Sequence, residues 1–234
     1  MRVNDHGQPL GDPVVGWTTR PAPTRLTLRG ESVTLEPVTP AHAEDLQAAL
    51  GKPADDALWT YRPDHRPSDV AGMGRLLGAA QTDPATVTWT LLPASSGRAE
   101  GLATLMRVDP AQGCVEVGAI IFAASLQRTR AATEAMALLA RHVFDDLRYR
   151  RYEWKCDSLN QPSRAAALRL GFTYEGRFRQ AVVYKGRNRD TDWFAMTDAD
   201  WPAIKAAYDA WLDPGNFDEH DVQHTSLSRF LSDR

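Results

Sequence analysis

Apolar and polar residues alternate along this chain with two different periods, and together they predict a mixed α/β fold of the α+β type. Alternation at every second residue, bounded by turn-forming residues, predicts strands over 86–92, 99–108, 115–122, 151–156, 172–184 and 190–196. Two short strands or one bent strand are predicted over 25–38. Helical spacing predicts helices over 40–50, 68–80, 163–170 and 198–212, with Ser68 as the cap of the second. This order favours a central, mostly antiparallel mixed sheet with helices on both faces.

Both ends of the chain and one internal segment lack a clear period. Residues 1–23 are rich in Gly and Pro and are predicted to form an N-terminal arm. Residues 52–67 hold three prolines and are predicted to be a loop, and the chain from 213 to 234 is predicted to be a loose tail. One domain over 24–212 remains, which is long enough to bury a hydrophobic core.

The most informative local pattern is a strand that leads directly into a long helix. Residues 115–122 are apolar, and a turn rich in Gln, Arg and Thr follows them. Apolar residues then recur at helical spacing to about residue 147, at Ala132, Met136, Leu139, Val143 and Leu147. Free N–H groups and the positive end of the helix dipole face such a turn, so the pattern predicts a site for the phosphates of a cofactor.

Composition and charge exclude several classes of function. The hydrophobic share of 43% and the charged share of 24% are ordinary for a globular protein. A net charge of −3 gives no basic field for nucleic acid, and no apolar run reaches the length of a membrane span. No secretory signal is seen, and two cysteines make no disulfide framework, so a cytoplasmic protein is expected. His220 and His224 lie four residues apart in a polar segment, and no metal site is predicted from them.

Motifs downstream of the turn add a family resemblance. They read Asp157-x-x-Asn160-x-x-Ser163, Gly171-Phe172, Glu175-Gly176, Arg179 and Asp190-Thr191, and the turn itself reads Gln127-Arg128-Thr129-Arg130-Ala131-Ala132. In this order they resemble the GCN5-related N-acetyltransferase (GNAT) superfamily, most closely its RimJ/RimL-type branch, over residues 24–201. The resemblance implies a GNAT-like single domain over 24–212 with a splayed strand pair that holds acyl-CoA.

The resemblance also implies which residues hold the cofactor. Amides at the start of the helix would bind the pyrophosphate, and the edge of the preceding strand would pair with the pantetheine arm and orient the thioester. Asn160 matches a CoA-contacting asparagine of the family, with a turn or helix cap as the alternative role. The implied cofactor-binding residues are Val117, Gly118, Ala119, Ile120, Ile121, Gln127, Arg128, Thr129, Arg130, Ala131, Ala132, Thr133, Asn160 and Ser163.

Two positions depart from the family pattern. Arg130 stands where the family has its first signature glycine, which lets the backbone approach a phosphate. An arginine could instead place its guanidinium against a pyrophosphate or a 3′-phosphate. Many superfamily members use a tyrosine four residues before the Gly-Phe pair as general acid, and this chain has Ala167 there.

Candidates for proton transfer and for acceptor binding follow from residue type and from the resemblance. Glu116, the only charged residue of its strand, is a candidate base with a pKa raised by burial, or a glutamate that faces solvent or pairs with an arginine. Ser163 is a candidate acid for the leaving thiolate, or a first-turn serine bonded to the backbone. The predicted substrate-binding residues are Trp59, Tyr61, Arg179 and Tyr184.

These observations predict an acyl-CoA-dependent N-acyltransferase in which a neutral amine attacks the thioester directly. Acetyl-CoA is the expected donor by resemblance, and arginines near the site leave succinyl-CoA or another acyl-CoA open. The expected acceptor is the amine of a small molecule or a protein N-terminus. A protein that binds acyl-CoA without turnover is the alternative from another class. A homodimer through the predicted exposed aromatics Tyr208 and Trp211 is also open.

Overall fold

The structure of the chain is a computed structural model that describes residues 2–232. The first residue of the predicted arm and the last two of the predicted tail lie outside the described residues. Six α-helices are found among the described residues: α1 (Ala43–Leu50), α2 (Val70–Thr82), α3 (Arg130–Arg141), α4 (Gln161–Arg169), α5 (Trp201–Leu212) and α6 (Leu227–Ser232). A π-helical turn, His142–Asp146, prolongs α3, in agreement with the predicted helix to about residue 147.

Ten strands accompany these helices. They are β1 (Arg2–Val3), β2 (Pro9–Leu10), β3 (Leu28–Arg29), β4 (Val33–Pro37), β5 (Val87–Pro93), β6 (Gly101–Asp109), β7 (Cys114–Phe122), β8 (Arg151–Asp157), β9 (Thr173–Tyr184) and β10 (Arg187–Thr197). The first two form a separate hairpin, and the others form one sheet in the order β3-β4-β5-β6-β7-β8-β10-β9. All neighbours in that sheet are antiparallel except β7 and β8, which α3 connects, so the predicted mixed, mostly antiparallel sheet is confirmed.

Each face of the sheet carries its own hydrophobic core. Val115 and Val117 point to the face covered by α3, α4, α5 and α6. The opposite face is covered near β5 and β6 by α1 and α2, whose Leu46, Met73 and Leu77 are buried with Leu102 of β6 and Ile121 of β7. Helices therefore lie on both faces, as the alternation along the strands predicts.

The prediction of a loose chain beyond residue 212 is wrong for the described residues. A 3₁₀ turn, Pro214–Asn216, and α6 follow, and Leu227 and Leu231 are buried in the core that contains α3 and α5. Tyr208 and Trp211 are consequently buried, at 1% and 3% exposure, and they do not form the predicted exposed surface. Their hydroxyl and indole groups donate to the Leu170 carbonyl and to Gln223, which ties α5 to its surroundings.

Two smaller predictions are also corrected. The cap of α2 is Asp69 instead of Ser68, because the Asp69 carboxylate accepts from the Gly72 amide at 2.7 Å. The predicted loop over 52–67 contains a 3₁₀ helix, Pro53–Trp59, whose first residue is a proline with its ring suited to that position. Among the described residues no helix combines the length and the apolar character that crossing a membrane requires.

Candidate active site

The sheet opens between β7 and β8, where this parallel pair of strands separates. Their pairing covers Cys114–Val117 against Arg151–Trp154 and goes no further. Beyond Val117, β7 continues beside β6 to Phe122, whereas β8 continues beside β10 to Asp157. The facing edges of the two strands are thus no longer paired with each other beyond this point, which is the predicted splay and leaves room for an extended ligand.

A bulge lies at the start of this opening. The register between β6 and β7 shifts so that Ala119 and Ile120 together face the single residue Ala103. Ala119 has φ +50°, a left-handed conformation unusual for alanine, and it is exposed although β7 is a central strand. Strained backbone in a central strand, next to a gap in the sheet, is typical of a functional site.

The turn between β7 and α3 has the construction of an anion site. Thr129 caps α3: its hydroxyl accepts from the Ala132 amide at 3.1 Å and donates to the Leu126 carbonyl at 2.7 Å. The amides of Arg130 and Ala131, at the first two positions of α3, remain as outward-facing donors of the helix end. Arg128 adopts φ +63° and is exposed, while the side-chain amide of Gln127 donates to the Phe122 carbonyl at 2.9 Å and holds the turn against β7.

The side chain of Arg130 is engaged elsewhere. Its guanidinium donates to the Leu212 carbonyl at 2.7 Å, stacks 4.4 Å from the ring centre of Phe217 and lies 3.8 Å from Asp221. Leu212 is the last residue of α5, and Phe217 and Asp221 lie in the segment after it, so Arg130 fastens the C-terminal chain to the start of α3. What the residue offers to a phosphate is its backbone amide, and the Arg side chain fills a structural role at the family's glycine position.

Asn160 and Ser163 lie on the other side of the opening, where β8 passes into α4. Asn160 caps α4, because its side-chain oxygen accepts from the Ser163 amide at 3.2 Å. The Ser163 hydroxyl accepts from the Trp154 indole at 3.0 Å and lies beside the Cys156 thiol, whose pKa burial raises to about 11. The cap alternative for Asn160 is therefore present, and the role of Ser163 as an acid stays a prediction.

Glu116 belongs to a cluster of charges on the sheet face opposite α3. It is 5% exposed, and its carboxylate lies 3.0 Å from the ammonium of Lys155 and 3.0 Å from the guanidinium of Arg107. Burial raises the pKa of Glu116, and the positive charge of Lys155 partly opposes that rise. Lys155 also pairs with Glu153 at 2.7 Å and stacks on Trp193. The pairing alternative for Glu116 is thus observed, one residue from the point where the strands part.

A cover of aromatic and charged side chains lies over the splay. The Tyr61 hydroxyl donates to the Leu159 carbonyl at 3.2 Å, and the Tyr184 hydroxyl donates to the buried Asp157 carboxylate at 2.9 Å. Burial, followed by that hydrogen bond, raises the pKa of Tyr184 to about 12. Lys185, at the β9–β10 turn, donates to the Trp59 carbonyl at 2.8 Å. Loops that are far apart in sequence therefore meet above the gap.

The predicted substrate residues are brought together only in part. Tyr61 and Tyr184 both belong to this cover, whereas the Trp59 ring is buried among α1 and α2 and donates its indole N–H to the Leu50 carbonyl. Arg179 lies in an exposed depression with Gln180, Asn188 and Asp190.

Two aspartates of the β9–β10 hairpin have different partners. Asp190 accepts from the Gln180 amide and from Asn188, whereas the acid clasped by arginines is the fully buried Asp192, 2.7 Å from Arg177 and 3.1 Å from Arg164.

Sequence reasoning missed Arg62, which is 9% exposed and donates to the Ala119 carbonyl at 2.5 Å. It also gave no separate role to Asp157, whose carboxylate accepts from the Tyr184 hydroxyl. The available signal for Arg62 was its place directly after Trp59 and Tyr61, but its partner lies 57 residues away. In the described part of the chain, no group of three or more His, Cys, Asp or Glu side chains is arranged to hold a metal ion.

These features fit an extended, phosphorylated ligand. The unpaired strand edge, the exposed bulge and the amides at the start of α3 follow one another along β7 and the turn after it. Comparisons with known proteins agree. The family model of the acetyltransferase (GNAT) domain matches residues 32–173. No match was found among curated proteins.

Several solved structures are similar to this chain over most of its length. The crystal structure of a GCN5-related N-acetyltransferase from Brucella melitensis is 42% identical, with a TM-score of 0.90, and the match covers 93% of this chain and 99% of that one. A probable acetyltransferase of the GNAT family from Chromobacterium violaceum is 36% identical, with a TM-score of 0.77 and coverage of 83% and 98%. The acetyltransferase MccE, solved with acetyl-CoA and AMP, shares the fold at 20% identity, a TM-score of 0.63 and coverage of 72% and 93%. This chain belongs to the GNAT acetyltransferase family, whose members use acetyl-CoA as the acetyl donor.

Proposed function

We propose that this protein is an acetyl-CoA-dependent N-acetyltransferase that modifies a primary amine of a small molecule or of a protein N-terminus. The observation that carries the proposal is the end of β7–β8 pairing at Val117, with the exposed bulge of Ala119 on one side and the start of α3 on the other. When bound, acetyl-CoA supplies an activated thioester. The chain supplies the geometry that orients it and the groups that move protons.

The cofactor side of the site is proposed to use backbone groups. Amides of Arg128, Arg130 and Ala131 bind the phosphates, and the free edge of β7 from Val117 to Ile121 pairs with the extended arm of the cofactor. Asn160 and Ser163 face this arm from the start of α4. Ser163, whose hydroxyl already accepts from the Trp154 indole, can donate its own proton toward a developing thiolate.

The acceptor amine must lose a proton before or as it attacks, and Glu116 is the proposed base, acting through water. Its raised pKa makes its carboxylate a better proton acceptor than an ordinary glutamate. Lys155 and Arg107 keep the Glu116 carboxylate oriented. Lys155 is also paired with Glu153, so it has a second anionic partner when Glu116 is protonated. Tyr61 and Tyr184 wall the acceptor entrance. Arg179, at the outer rim, meets a longer or peptidic acceptor.

A single experiment tests the chemistry. Release of thiol from acetyl-CoA is measured against pH with two acceptor probes, a short peptide with a free α-amine and spermidine, and with the N-acetylated peptide as the blank. Rates should rise with pH through a pKa above the ordinary 4.5 of a glutamate, since Glu116 must be ionised to accept a proton. Glu116→Gln should remove this rise, the acid limb of the pH profile, and leave only the rise due to deprotonation of the acceptor amine itself.

Glu153→Gln is the matched control, because Glu153 contacts the same lysine and its pKa is lowered instead of raised. The acid limb should survive in this variant. An unchanged limb in Glu116→Gln would refute the role of Glu116 as the base.

One observation favours a second candidate function, an acyl-CoA-binding protein with little or no turnover. The carboxylate of Glu116 already has two cationic partners at 3.0 Å, which disfavours its release for proton transfer. A thermal-shift series with CoA, acetyl-CoA, succinyl-CoA and ATP separates the possibilities. A ligand at ~100 times its dissociation constant adds about 2.7 kcal/mol of stability. Stabilisation by CoA esters with no thiol release would support the binding protein. Stronger stabilisation by succinyl-CoA than by acetyl-CoA would make succinyl-CoA the proposed donor. No stabilisation by any CoA species would exclude both functions.

A further inference from the structure

Arg62 connects the loop above the splay to the bulge of β7. Its guanidinium donates one N–H to the Ala119 carbonyl at 2.5 Å and another to the Asp64 carboxylate at 3.0 Å. Its carbon lies 5.3 Å from the centre of the Trp59 ring, which gives it a cation–π contact. Only a tenth of the side chain is exposed, so these contacts hold it in one place.

The carbonyl that Arg62 binds belongs to the peptide between Ala119 and Ile120. All peptide bonds among the described residues are trans, and in a trans peptide the C=O and the N–H point in opposite directions. A guanidinium that fixes the Ala119 C=O therefore also fixes the direction of the Ile120 N–H. Because Ala119 has φ +50°, this peptide is turned out of the regular ladder and is sensitive to what holds it.

We propose that Arg62 is a positioning residue that sets the Ile120 N–H as a hydrogen-bond donor to the thioester carbonyl of bound acetyl-CoA. The inference rests on the proposed function. A donor fixed before the reaction costs no reorganisation when negative charge develops on that oxygen, which is why preorganised donors accelerate acyl transfer. Arg62 itself acts only through the peptide that it binds.

The fork of the guanidinium suits this role better than a lysine would. One side of the planar group reaches the carbonyl while the other reaches Asp64, and the face rests on Trp59, so position and plane are both fixed. Asp64 is nearly half exposed and offers an anchor outside the core. A lysine could keep the bond to the carbonyl but would lose the bond to Asp64 or the stacking.

The test uses acetyl-CoA labelled with ¹³C at the thioester carbonyl and infrared difference spectra of the bound complex. This measurement reports a hydrogen bond to the carbonyl and needs no acceptor. In the wild-type protein the carbonyl stretch should move to lower frequency than in free acetyl-CoA. In Arg62→Met the stretch should return toward the free value while CoA still binds, and Arg62→Lys should restore part of the shift.

Arg66→Met is the matched control. Arg66 lies on the same loop, pairs with Asp56 and donates to the Gly51 carbonyl, and the hydrogen bonds and ion pairs described for it do not reach β7. It should leave the carbonyl stretch at the wild-type frequency, although the loop loses an ion pair of similar kind. With an active acceptor, kcat of Arg62→Met should fall about tenfold at unchanged KM for acetyl-CoA, less than the 10²–10³-fold loss of a whole oxyanion donor.

The outcomes separate the two proposals. A wild-type protein that does not bind acetyl-CoA would overturn the proposed function. A wild-type shift that Arg62→Met leaves intact would overturn the role of Arg62 alone. An equal loss of shift in Arg66→Met would also overturn it, since the effect would then belong to loop integrity. If Arg62→Met does not fold, the Arg62→Lys variant decides: a full wild-type shift contradicts the need for the fork.

Discussion

Arg130→Ala separates two roles that an arginine can have at the start of α3. If the guanidinium fastens the C-terminal segment, its removal should lower the stability of the fold and leave CoA affinity nearly unchanged. If the guanidinium instead holds a phosphate, its removal should lower the CoA affinity and leave the stability of the fold nearly unchanged. Contacts with Leu212, Phe217 and Asp221 favour the first role, and the side chain is 18% exposed. Alanine is suited to the first turn of a helix, so the substitution adds little backbone strain.

The magnitude follows from these contacts. A charged hydrogen bond to a carbonyl contributes about 1.5–3 kcal/mol, and a partly desolvated cation–π contact adds about 0.5–2 kcal/mol. The pair with Asp221 is long and its aspartate is 60% exposed, so it adds little. One side chain makes all of these contacts and their contributions overlap, so we expect a loss of about 2–4 kcal/mol in the free energy of unfolding.

Urea unfolding and calorimetric titration with CoA measure the two quantities. With a slope of about 2–3 kcal/mol per molar urea, the midpoint should fall by about 1 M. Arg141→Ala is the control on the same helix: Arg141 pairs with Asp209 on α5, and this surface pair should cost no more than about 1 kcal/mol. A tenfold loss of CoA affinity in Arg130→Ala at nearly unchanged stability would refute the reasoning.

Two further predictions concern opposite sides of the splay. Arg128→Gly keeps the backbone amide but removes the exposed guanidinium beside the proposed phosphate site, so it should weaken CoA binding in calorimetry. Stability should stay within about 1 kcal/mol, because glycine relieves the cost of φ +63° and adds unfolded-state entropy, and a large loss of stability would instead make Arg128 a packing residue. Tyr184→Phe should remove a tyrosine that ionises near pH 12 from the ultraviolet titration and cost about 0.5–1.5 kcal/mol at neutral pH. Since the folded pKa of about 12 lies above the ordinary 10.0, the contribution is complete below pH 10 and is lost between pH 10 and 12. A difference in the free energy of unfolding between the two proteins that is as large above pH 12 as at neutral pH would contradict this.

Local patterns were sufficient for most of the sheet and for the turn that leads into α3. Strands β5 to β8 have alternating or continuous apolar residues, and the turn before α3 is contiguous in sequence with both elements that it joins. A helix cap such as Thr129 acts over three residues, so it can be read from the sequence. The splay itself came from the family resemblance, because no periodicity shows where two parallel strands separate.

One error about the tail produced a second error about α5. The segment after Asp213 has weak periodicity, yet Leu227 and Leu231 are four residues apart and both enter the core. A segment that is predicted to be loose cannot bury Tyr208 and Trp211, so both side chains were predicted to be exposed. The partners that bury them lie in a different part of the chain, and amphipathic spacing alone does not identify which element covers a face.

The cofactor side and the acceptor side of this site are built by different kinds of contact, and this explains why the sequence indicates one and not the other. Amides of a strand–turn–helix unit bind any acyl-CoA, and they need only local order. The acceptor side depends on hydrogen bonds between loops, such as Lys185 to Trp59 over 126 residues and Tyr61 to Leu159 over 98. Loops of this kind change most easily among relatives while the scaffold persists. Arg62 would join the two sides, because it ties the loop proposed to meet the acceptor to the bulge of β7. A change of acceptor loop in this family should therefore alter the rate of acyl transfer together with its specificity.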